Sequence, residues 1–265
     1  MKEFDHAVVG AGIVGSWTAL HLLKLGKNVL LLEQFREPHT RGSSHGQSRL
    51  IRSAYEEEFF ARMMPFAFDM WRELEQQTKK ELIVNTGVLC LEQSVEREKY
   101  ENCVKFMKEI CPENLEEMSS AEVQSKFSKT LSYKDLSGAL LDKSGGIVLA
   151  HKALLTVQDL FRQQGGTLWD NCQVYQTVLE GDKVKIRTAK GDVIVRSVVV
   201  CAGSWTQKLL TPHLISSLPL QPVAVNVFYW KEKVKGVYSA ESGFPGLLEL
   251  SNPPIYALPS MEYPG

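Results

Sequence analysis

A glycine-rich turn between two apolar segments constrains this chain more than any other feature. Residues 4–9 form an apolar run of strand length, and Gly10, Gly12 and Gly15 follow it in the spacing G-x-G-x-x-G. A helix-forming segment then leads to a second apolar run, which ends at Glu33. This order predicts a βαβ unit that binds a dinucleotide, with its diphosphate at the helix N-terminus and a ribose at the acid.

Each glycine of the turn has its own physical role. Gly10 permits the tight turn, Gly12 lets a diphosphate approach the backbone, and Gly15 lets the helix lie close to the strand. The acidic Glu33 argues against a ribose 2′-phosphate. The motif alone permits either NAD or FAD, and the structural alternative is a glycine turn that only packs a helix on a sheet.

Composition excludes several classes of function. Of the 265 residues, 44% are apolar and 23% are charged, which is typical of a globular protein. The net charge of −1 gives no electrostatic basis for binding nucleic acid or an anionic membrane. No apolar run is long enough to span a membrane, and the first residues do not form a secretory signal. The five cysteines have no metal-binding spacing and predict reduced, mostly buried thiols.

A basic, turn-rich segment follows the predicted βαβ unit at residues 34–52. We interpret it as a loop that runs into a short helix or an extended piece, and on a helix Arg49 and Arg52 would share one face. A solvated basic loop is the alternative from composition alone. The cationic and imidazole groups of the segment are Arg36, His39, Arg41, His45, Arg49 and Arg52.

The remaining pattern predicts further helices and strands. Helices are predicted at 57–78 (kinked or interrupted at Pro65), 95–110 and 151–164, and a capping box at Ser119 and Glu122 begins another. Strands are predicted at 82–84, 88–91, 136–141, 146–149, 167–174, 178–179, 184–188, 193–201, 219–230 and 255–258.

These elements favour an α/β chain, α+β overall, with two domains. We expect a discontinuous Rossmann-like nucleotide-binding domain at 1–84 and 145–215, and a β-rich substrate domain at 85–144 and 216–265. Because the last residues carry no closing strand or helix, the second domain is expected to be incomplete.

Several motifs accompany the glycine turn along the whole chain. They are Pro-His-Thr-Arg-Gly-Ser-Ser-His-Gly-Gln-Ser-Arg-Leu-Ile-Arg at 38–52, Thr-Gly-Val-Leu at 86–89, Ser-Gly-Gly at 144–146, Ala-Gly-Ser-Trp-Thr at 202–206 and Ile-Tyr at 255–256. Together they resemble the flavin-dependent amine oxidases of the D-amino-acid oxidase/sarcosine oxidase superfamily. The similarity is greatest to the sarcosine and pipecolate oxidases of that superfamily.

The resemblance implies FAD as the cofactor and a secondary-amine amino acid, sarcosine or L-pipecolate, as the substrate. It implies oxidation of the substrate to an imine, with O₂ reduced to hydrogen peroxide. The catalytic residues would be Arg52, which binds the substrate carboxylate, Tyr256, which positions the substrate, and Arg49 and His45 near the flavin. The cofactor-binding residues would be Gly10, Gly12, Gly15, Glu33, Ser43, Ser44, Arg49, Val174, Ala202, Gly203 and Trp205.

The chain departs from that family pattern at its C-terminal end. Family members continue beyond the position of Gly265, and that part carries the cysteine that attaches the flavin and the peroxisomal address. None of the five cysteines matches the attachment motif. We therefore expect a truncated chain. We also expect a monomer, located in peroxisomes by resemblance or in the cytosol if the chain ends at Gly265. The alternatives are an inactive form that binds FAD or a partner at most, and an NAD-dependent dehydrogenase.

Overall fold

The computed structural model describes residues 3–92, 97–133, 136–210, 218–251 and 253–261. The chain divides into two compact units, unit 1 at Met1–Gly46 and Ala150–Val227, and unit 2 at Gln47–Leu149 and Phe228–Gly265. This division differs from the sequence-based one mainly at residues 47–84, which the sequence pattern placed with the nucleotide-binding domain.

Helices separate groups of one to four strands along the chain. Up to residue 127 they are β1 (Glu3–Val9), α1 (Ile13–Lys24), β2 (Val29–Leu32), β3 (Ser48–Ile51), α2 (Glu58–Thr78), β4 (Ile83–Asn85), β5 (Val88–Glu92), α3 (Arg97–Ile110), β6 (Leu115–Ser119) and α4 (Ser120–Phe127). The rest are β7 (Gly138–Asp142), β8 (Gly146–Leu149), α5 (Ala150–Gln163), β9 (Thr167–Trp169), β10 (Val174–Glu180), β11 (Lys183–Thr188), β12 (Val193–Val200), α6 (Thr206–Leu209), β13 (Gly246–Glu249) and β14 (Ile255–Ala257).

Unit 1 is built on a six-stranded sheet in the order β10-β11-β12-β1-β2-β9. Strands β12, β1, β2 and β9 are parallel, and β10 and β11 extend the sheet in antiparallel pairing. All four residues of β2 are buried, as expected for a central parallel strand covered on both faces. The carboxyl ends of β1 and β2 therefore lie side by side, which is where ligands bind in such sheets.

Unit 2 contains a five-stranded sheet, β14-β13-β5-β7-β6, and a three-stranded sheet, β3-β8-β4. Alternate residues of β5 enter different cores, as the two-residue period of a strand requires. Val88 and Cys90 pack in a core with residues of α3, whereas Leu89 and Leu91 pack with residues of α4. Both faces of the sheet are therefore covered.

Three local signals in the sequence had different outcomes in the structure. Helix α2 runs through Pro65 as one element, so the proline does not interrupt it, which was one of the two predicted effects. At Ser119 the capping box is formed, with the Ser119 hydroxyl accepting from the Glu122 amide. The basic segment enters strand β3 rather than a helix, so Arg49 and Arg52 do not share a helical face.

The strand expected at 219–230 is wrong. No residue of this stretch pairs in a sheet, and all of its side chains are exposed. The alternating valines of this stretch fit the pattern of a half-buried strand. A strand also requires a neighbouring strand, and none of the described strands pairs with residues 219–230. The reverse error occurred at 246–249, where β13 pairs with β5 and β14 although the sequence pattern predicted no strand there.

Among the described residues, no helix combines the length and the apolar character that a membrane crossing requires.

Candidate functional site

The glycine turn joins β1 to α1 with almost no space for side chains. Gly10 has φ +103°, and a Cβ placed there would lie 2.4 Å from the carbonyl oxygen of Cys201. A Cβ on Gly15 would lie 1.8 Å from the carbonyl oxygen of Gly10. Both positions therefore require glycine, because backbone cannot yield as a flexible side chain does. Gly15 is buried in helix α1 beneath the turn.

Gly12 precedes the first turn of helix α1. A Cβ at this position would lie 2.9 Å from Oγ of Ser44, whose hydroxyl oxygen accepts a hydrogen bond from the Ile13 amide at 3.0 Å. Amides at the start of a helix and the positive end of its dipole are suited to binding anions. The Gly12 backbone and the Ser44 hydroxyl therefore meet at a position suited to a phosphate.

Glu33 follows strand β2 and lies beside the glycine turn. Its side chain is buried, with Oε2 accepting from the Ala11 amide at 3.0 Å and Oε1 accepting from the Phe35 amide at 3.0 Å. Nε2 of His39 lies 3.5 Å from Oε1. The carboxylate thus connects the glycine turn to the chain that follows β2.

A network that the sequence did not reveal supports the same turn from α5. The carbonyl oxygen of Ala11 accepts from Oγ of Ser16 at 3.0 Å and from Nε2 of Gln158 at 2.8 Å. Nε2 of Gln158 also donates to Glu37, which pairs with Arg162 at 2.8 Å. Burial raises the pKa of Glu37, and the neighbouring Arg162 opposes this change. No motif marks Gln158 or Glu37, because their role depends on contacts between distant parts of the chain.

The glycine turn, Glu33 and Ser44 border a cleft of about 410 Å³ that lies within unit 1. This volume is in the usual range for ligand sites in proteins, about 300–1,000 Å³. Ten residues predicted from the sequence line it, namely Gly10, Gly12, Glu33, Ser43, Ser44, His45, Val174, Ala202, Gly203 and Trp205. Further lining residues include Arg41, Cys201 and Lys208, of which two bring positive charge. Unit 1 therefore combines a helix N-terminus, a buried acid and cations around one cleft.

Aromatic and cationic side chains form one wall of the cleft around Phe35. The ring of Phe35 lies 5.5 Å from that of Trp205 and 5.1 Å from that of His39, both at steep angles. The guanidinium carbon of Arg41 lies 4.6 Å from the centre of the Phe35 ring, within the range of a cation–π interaction. This wall can pack against a flat heterocycle and can carry positive charge.

The predicted catalytic residues are divided between the two units. In unit 1, Nδ1 of His45 lies 2.7 Å from the carbonyl oxygen of Gly42. In unit 2, Arg49 lies in β3 and donates from Nη1 to the Ser48 carbonyl oxygen at 2.7 Å. Also in unit 2, Tyr256 lies in β14 opposite Leu248 and is 40% exposed.

Arg52 lies just after β3 and has two contacts within unit 2. Its Nε–H donates to the carbonyl oxygen of Ala54 at 2.8 Å, and its guanidinium carbon lies 4.1 Å from the centre of the Tyr55 ring. These contacts hold the guanidinium at its Nε edge and on one face, which determines how its terminal nitrogens are directed.

All five cysteines are free thiols, as expected. Four are buried, and Cys201 at the cleft is partly exposed. Burial raises the pKa of Cys201, and Thr18 opposes this change by a hydrogen bond.

The fold and the cleft of unit 1 define a protein of the dinucleotide-binding α/β class. A family model described as DAO, FAD dependent oxidoreductase, matches residues 5–263. The chain therefore belongs to this family of FAD-dependent oxidoreductases.

Known proteins agree with this assignment. The chain is 41% identical to peroxisomal sarcosine oxidase of Homo sapiens over 99% of its own length and 66% of that protein. It is 30% identical to monomeric sarcosine oxidase of Arthrobacter sp. (strain TE1826) over 98% of its own length and 66% of that protein. The chain thus spans slightly less than two thirds of these relatives, and the resemblance to the sarcosine oxidases inferred from the motifs is confirmed.

A solved structure supports the fold. L-Proline dehydrogenase from P. horikoshii aligns with a TM-score of 0.74 over 94% of this chain and 65% of that chain, at 17% identity. The residues of unit 1 also fit FAD chemically. Gly12 lacks the Cβ that would fill the space before the helix, and Glu33 keeps a buried carboxylate at the edge of the cleft.

Proposed function

We propose that the cleft of unit 1 binds FAD. The observation that carries this proposal is that Gly12, the start of helix α1 and the Glu33 carboxylate border one cleft. In this proposal the diphosphate lies against the backbone at Gly10 and Gly12, and Ser44 donates its hydroxyl to a phosphate oxygen. A ribose hydroxyl would donate to the Glu33 carboxylate.

The remaining contacts follow from the positions of the predicted residues. Val174 would contact the adenine side through its backbone, and Ala202, Gly203 and Trp205 would line the cofactor on the side of β12. Ser43, His45 and Arg49 are the proposed contacts of the flavin and its linker. These assignments are supported for Ser43 and His45 by their place in the lining of the cleft.

We further propose that the protein oxidises a secondary-amine amino acid, sarcosine or L-pipecolate, to an imine and reduces O₂ to hydrogen peroxide. Bound FAD supplies the hydride acceptor of this reaction. Arg52 binds the substrate carboxylate, a role suited to the planar fork of a guanidinium. Because Nε–H of Arg52 is used by Ala54, the carboxylate would meet the terminal nitrogens. Tyr256 would limit the orientations of the bound amine.

The relatives also suggest the setting in which the protein acts. We propose a monomer located in peroxisomes, because the human relative is named as peroxisomal and the Arthrobacter relative as monomeric. A small amino acid and O₂ are its proposed partners, with neither nucleic acid nor membrane among them.

Flavin binding is tested by titrating the purified chain with FAD and, separately, with NAD. We expect quenching of flavin fluorescence and a rise in Tm with FAD only, since a ligand that binds only the folded state stabilises it by about 2.7 kcal/mol at a hundred times its Kd. A rise in Tm with NAD alone would contradict the proposal and favour a nicotinamide-dependent dehydrogenase.

Oxidation is tested on the FAD-loaded chain by measuring hydrogen peroxide with sarcosine and with L-pipecolate. Arg52→Met should raise KM for the active substrate by about a hundredfold or more, because the charge-assisted contact to the carboxylate is lost. Arg72→Met, on the exposed face of α2, is the matched control and should leave KM unchanged. FAD binding without peroxide formation would limit the function of this chain to cofactor binding.

A further inference from the structure

The carboxylate of Asp142, at the end of strand β7, is fully buried in unit 2. Its Oδ2 accepts hydrogen bonds from the backbone amides of Ser53 at 2.5 Å and Ala54 at 3.1 Å. Its Oδ1 accepts from the amide of Ser144 at 3.0 Å and from the Ser144 hydroxyl at 2.5 Å. Four donors therefore converge on one ionisable side chain, which matches the acceptor capacity of an ionised carboxylate.

The backbone that Asp142 binds has no partner in a sheet ladder. Ser53 and Ala54 lie between β3 and α2, and both residues are buried. Buried amides need an acceptor, since an unpaired one costs as much free energy as a lost hydrogen bond. Oγ of Ser53 also lies 2.9 Å from Oγ of Ser144, which adds a second tie between the two segments. Asp142 therefore determines the path of this irregular segment.

The same segment carries the contacts of Arg52. Ala54 donates its amide to Asp142 and accepts from Nε of Arg52 through its carbonyl oxygen. Tyr55, whose ring lies against the Arg52 guanidinium, donates its own amide to the carbonyl oxygen of Ser53 at 3.0 Å. Displacement of the Ser53–Ala54 backbone would therefore move both the acceptor and the ring that hold the guanidinium.

Both charges also influence one buried thiol. Burial raises the pKa of the Cys90 thiol in β5, with the cation of Arg52 lowering it and the anion of Asp142 raising it. The Asp142 carboxylate and the Arg52 guanidinium are themselves connected through the peptide of Ala54.

We propose that Asp142 is a positioning residue for Arg52: through the amides of Ser53 and Ala54 it holds the guanidinium in the orientation that binds a substrate carboxylate. This inference rests on the proposed function of Arg52. Ser144 assists by donating two hydrogen bonds to the other oxygen of Asp142. Neither residue touches the substrate in this scheme.

The test uses the FAD-loaded chain and the variants Asp142→Asn and Ser144→Ala. In Asp142→Asn an NH₂ group replaces one of the two acceptor oxygens, so that donors face donors. Asp69→Asn, at an exposed position of α2, is the matched control. Circular dichroism and Tm establish that each variant is folded, and Ser144→Ala keeps the carboxylate and its bonds to Ser53 and Ala54 if Asp142→Asn does not fold.

Two measurements are made on each variant. The first is the hydrogen-exchange rate of Arg52 Nε–H by ¹⁵N NMR, with the resonance assigned by its disappearance in Arg52→Met. The second is the Kd of L-pipecolate, obtained from the dependence of the rate of anaerobic flavin reduction on its concentration. We expect Asp142→Asn to speed the exchange by about tenfold and to raise the Kd by about tenfold, with the Kd of FAD unchanged. Ser144→Ala should shift both values in the same direction by smaller factors, and Asp69→Asn should shift neither.

The outcome for Asp142 can be separated from the outcome for Arg52. If folded Asp142→Asn leaves the Nε–H exchange as in the unchanged chain, the inference is overturned, whatever happens to the Kd. If Arg52→Met binds L-pipecolate normally, the proposed role of Arg52 fails, and with it the part of the inference that concerns substrate binding. Faster exchange in Asp142→Asn would still support the structural link between the two residues.

Discussion

The hydroxyl oxygen of Ser44 accepts a hydrogen bond from the Ile13 amide at 3.0 Å, so a residue of the basic segment closes the first turn of helix α1. The resemblance to the family implied that Ser44 and the glycine turn both serve the cofactor, but not that they contact each other. This contact makes the space before the helix small. It leads to a direct test of the proposed diphosphate position.

Gly12→Val should weaken FAD binding by roughly a hundredfold or more, because even a Cβ would lie 2.9 Å from Oγ of Ser44 and the two further methyl groups would fill the space of a phosphate. The measurement is a titration by flavin fluorescence. Gly26→Ala is the matched control, since nothing lies within 4 Å of its Cβ although its φ is +74°. It should cost about 1 kcal/mol of stability and leave the Kd of FAD unchanged.

Glu33→Gln should weaken FAD binding by about tenfold and lower stability by about 1–3 kcal/mol. The carboxylate accepts from the amides of Ala11 and Phe35, and a glutamine would turn an NH₂ group towards one of these donors. Urea unfolding and FAD titration measure the two effects. Glu180→Gln, at an exposed position of β10, should change neither. A normal Kd in Glu33→Gln would contradict the proposed contact with the ribose.

Thiol labelling should locate the cofactor independently of any substitution. Iodoacetamide should modify Cys201 first and FAD should protect it, because Cys201 is the one thiol that is partly exposed and it lines the cleft. Burial raises the pKa of Cys103 to about 12, so this thiol should react only after unfolding. Mass spectrometry of the labelled peptides gives the result. Equal labelling of Cys201 with and without saturating FAD would place the cofactor elsewhere.

Short-range signals in the sequence were sufficient for many elements. The capping box needs only Ser119 and Glu122, three residues apart, and both of its hydrogen bonds are formed. The glycine turn likewise carries its own steric requirements, and strands β1 and β2 were predicted from apolar runs. In these cases the residues that determine the structure are neighbours in the chain.

The supporting residues could not be predicted because their partners are distant. Asp142 accepts from amides 88 and 89 residues away, and Gln158 donates to a carbonyl oxygen 147 residues away. By residue type alone, Asp142 would be predicted as a surface acid and Gln158 as a polar position on a helix. The wrong strand at 219–230 has the same origin, since a two-residue period gives no information on whether a neighbouring strand is available.

Glu37 should make stability depend on pH in the direction opposite to that of most carboxylates. Because burial raises its pKa above 4.5, the folded chain binds this proton more tightly than the unfolded chain. Its contribution to the free energy of unfolding is therefore fully present below pH 4.5 and is lost as the pH rises through the raised pKa. Glu37→Gln removes this titration.

The measurement is Tm from about pH 4 to about pH 7 for the unchanged chain and for Glu37→Gln. The difference between the two, unchanged chain minus variant, should become smaller as the pH rises and then stay constant. Glu180→Gln controls for the loss of a carboxylate at an exposed position and should show no such trend. A difference that grows with pH would mean that the attraction of Arg162 exceeds the cost of burial, because pairing with a cation favours the ionised form of Glu37.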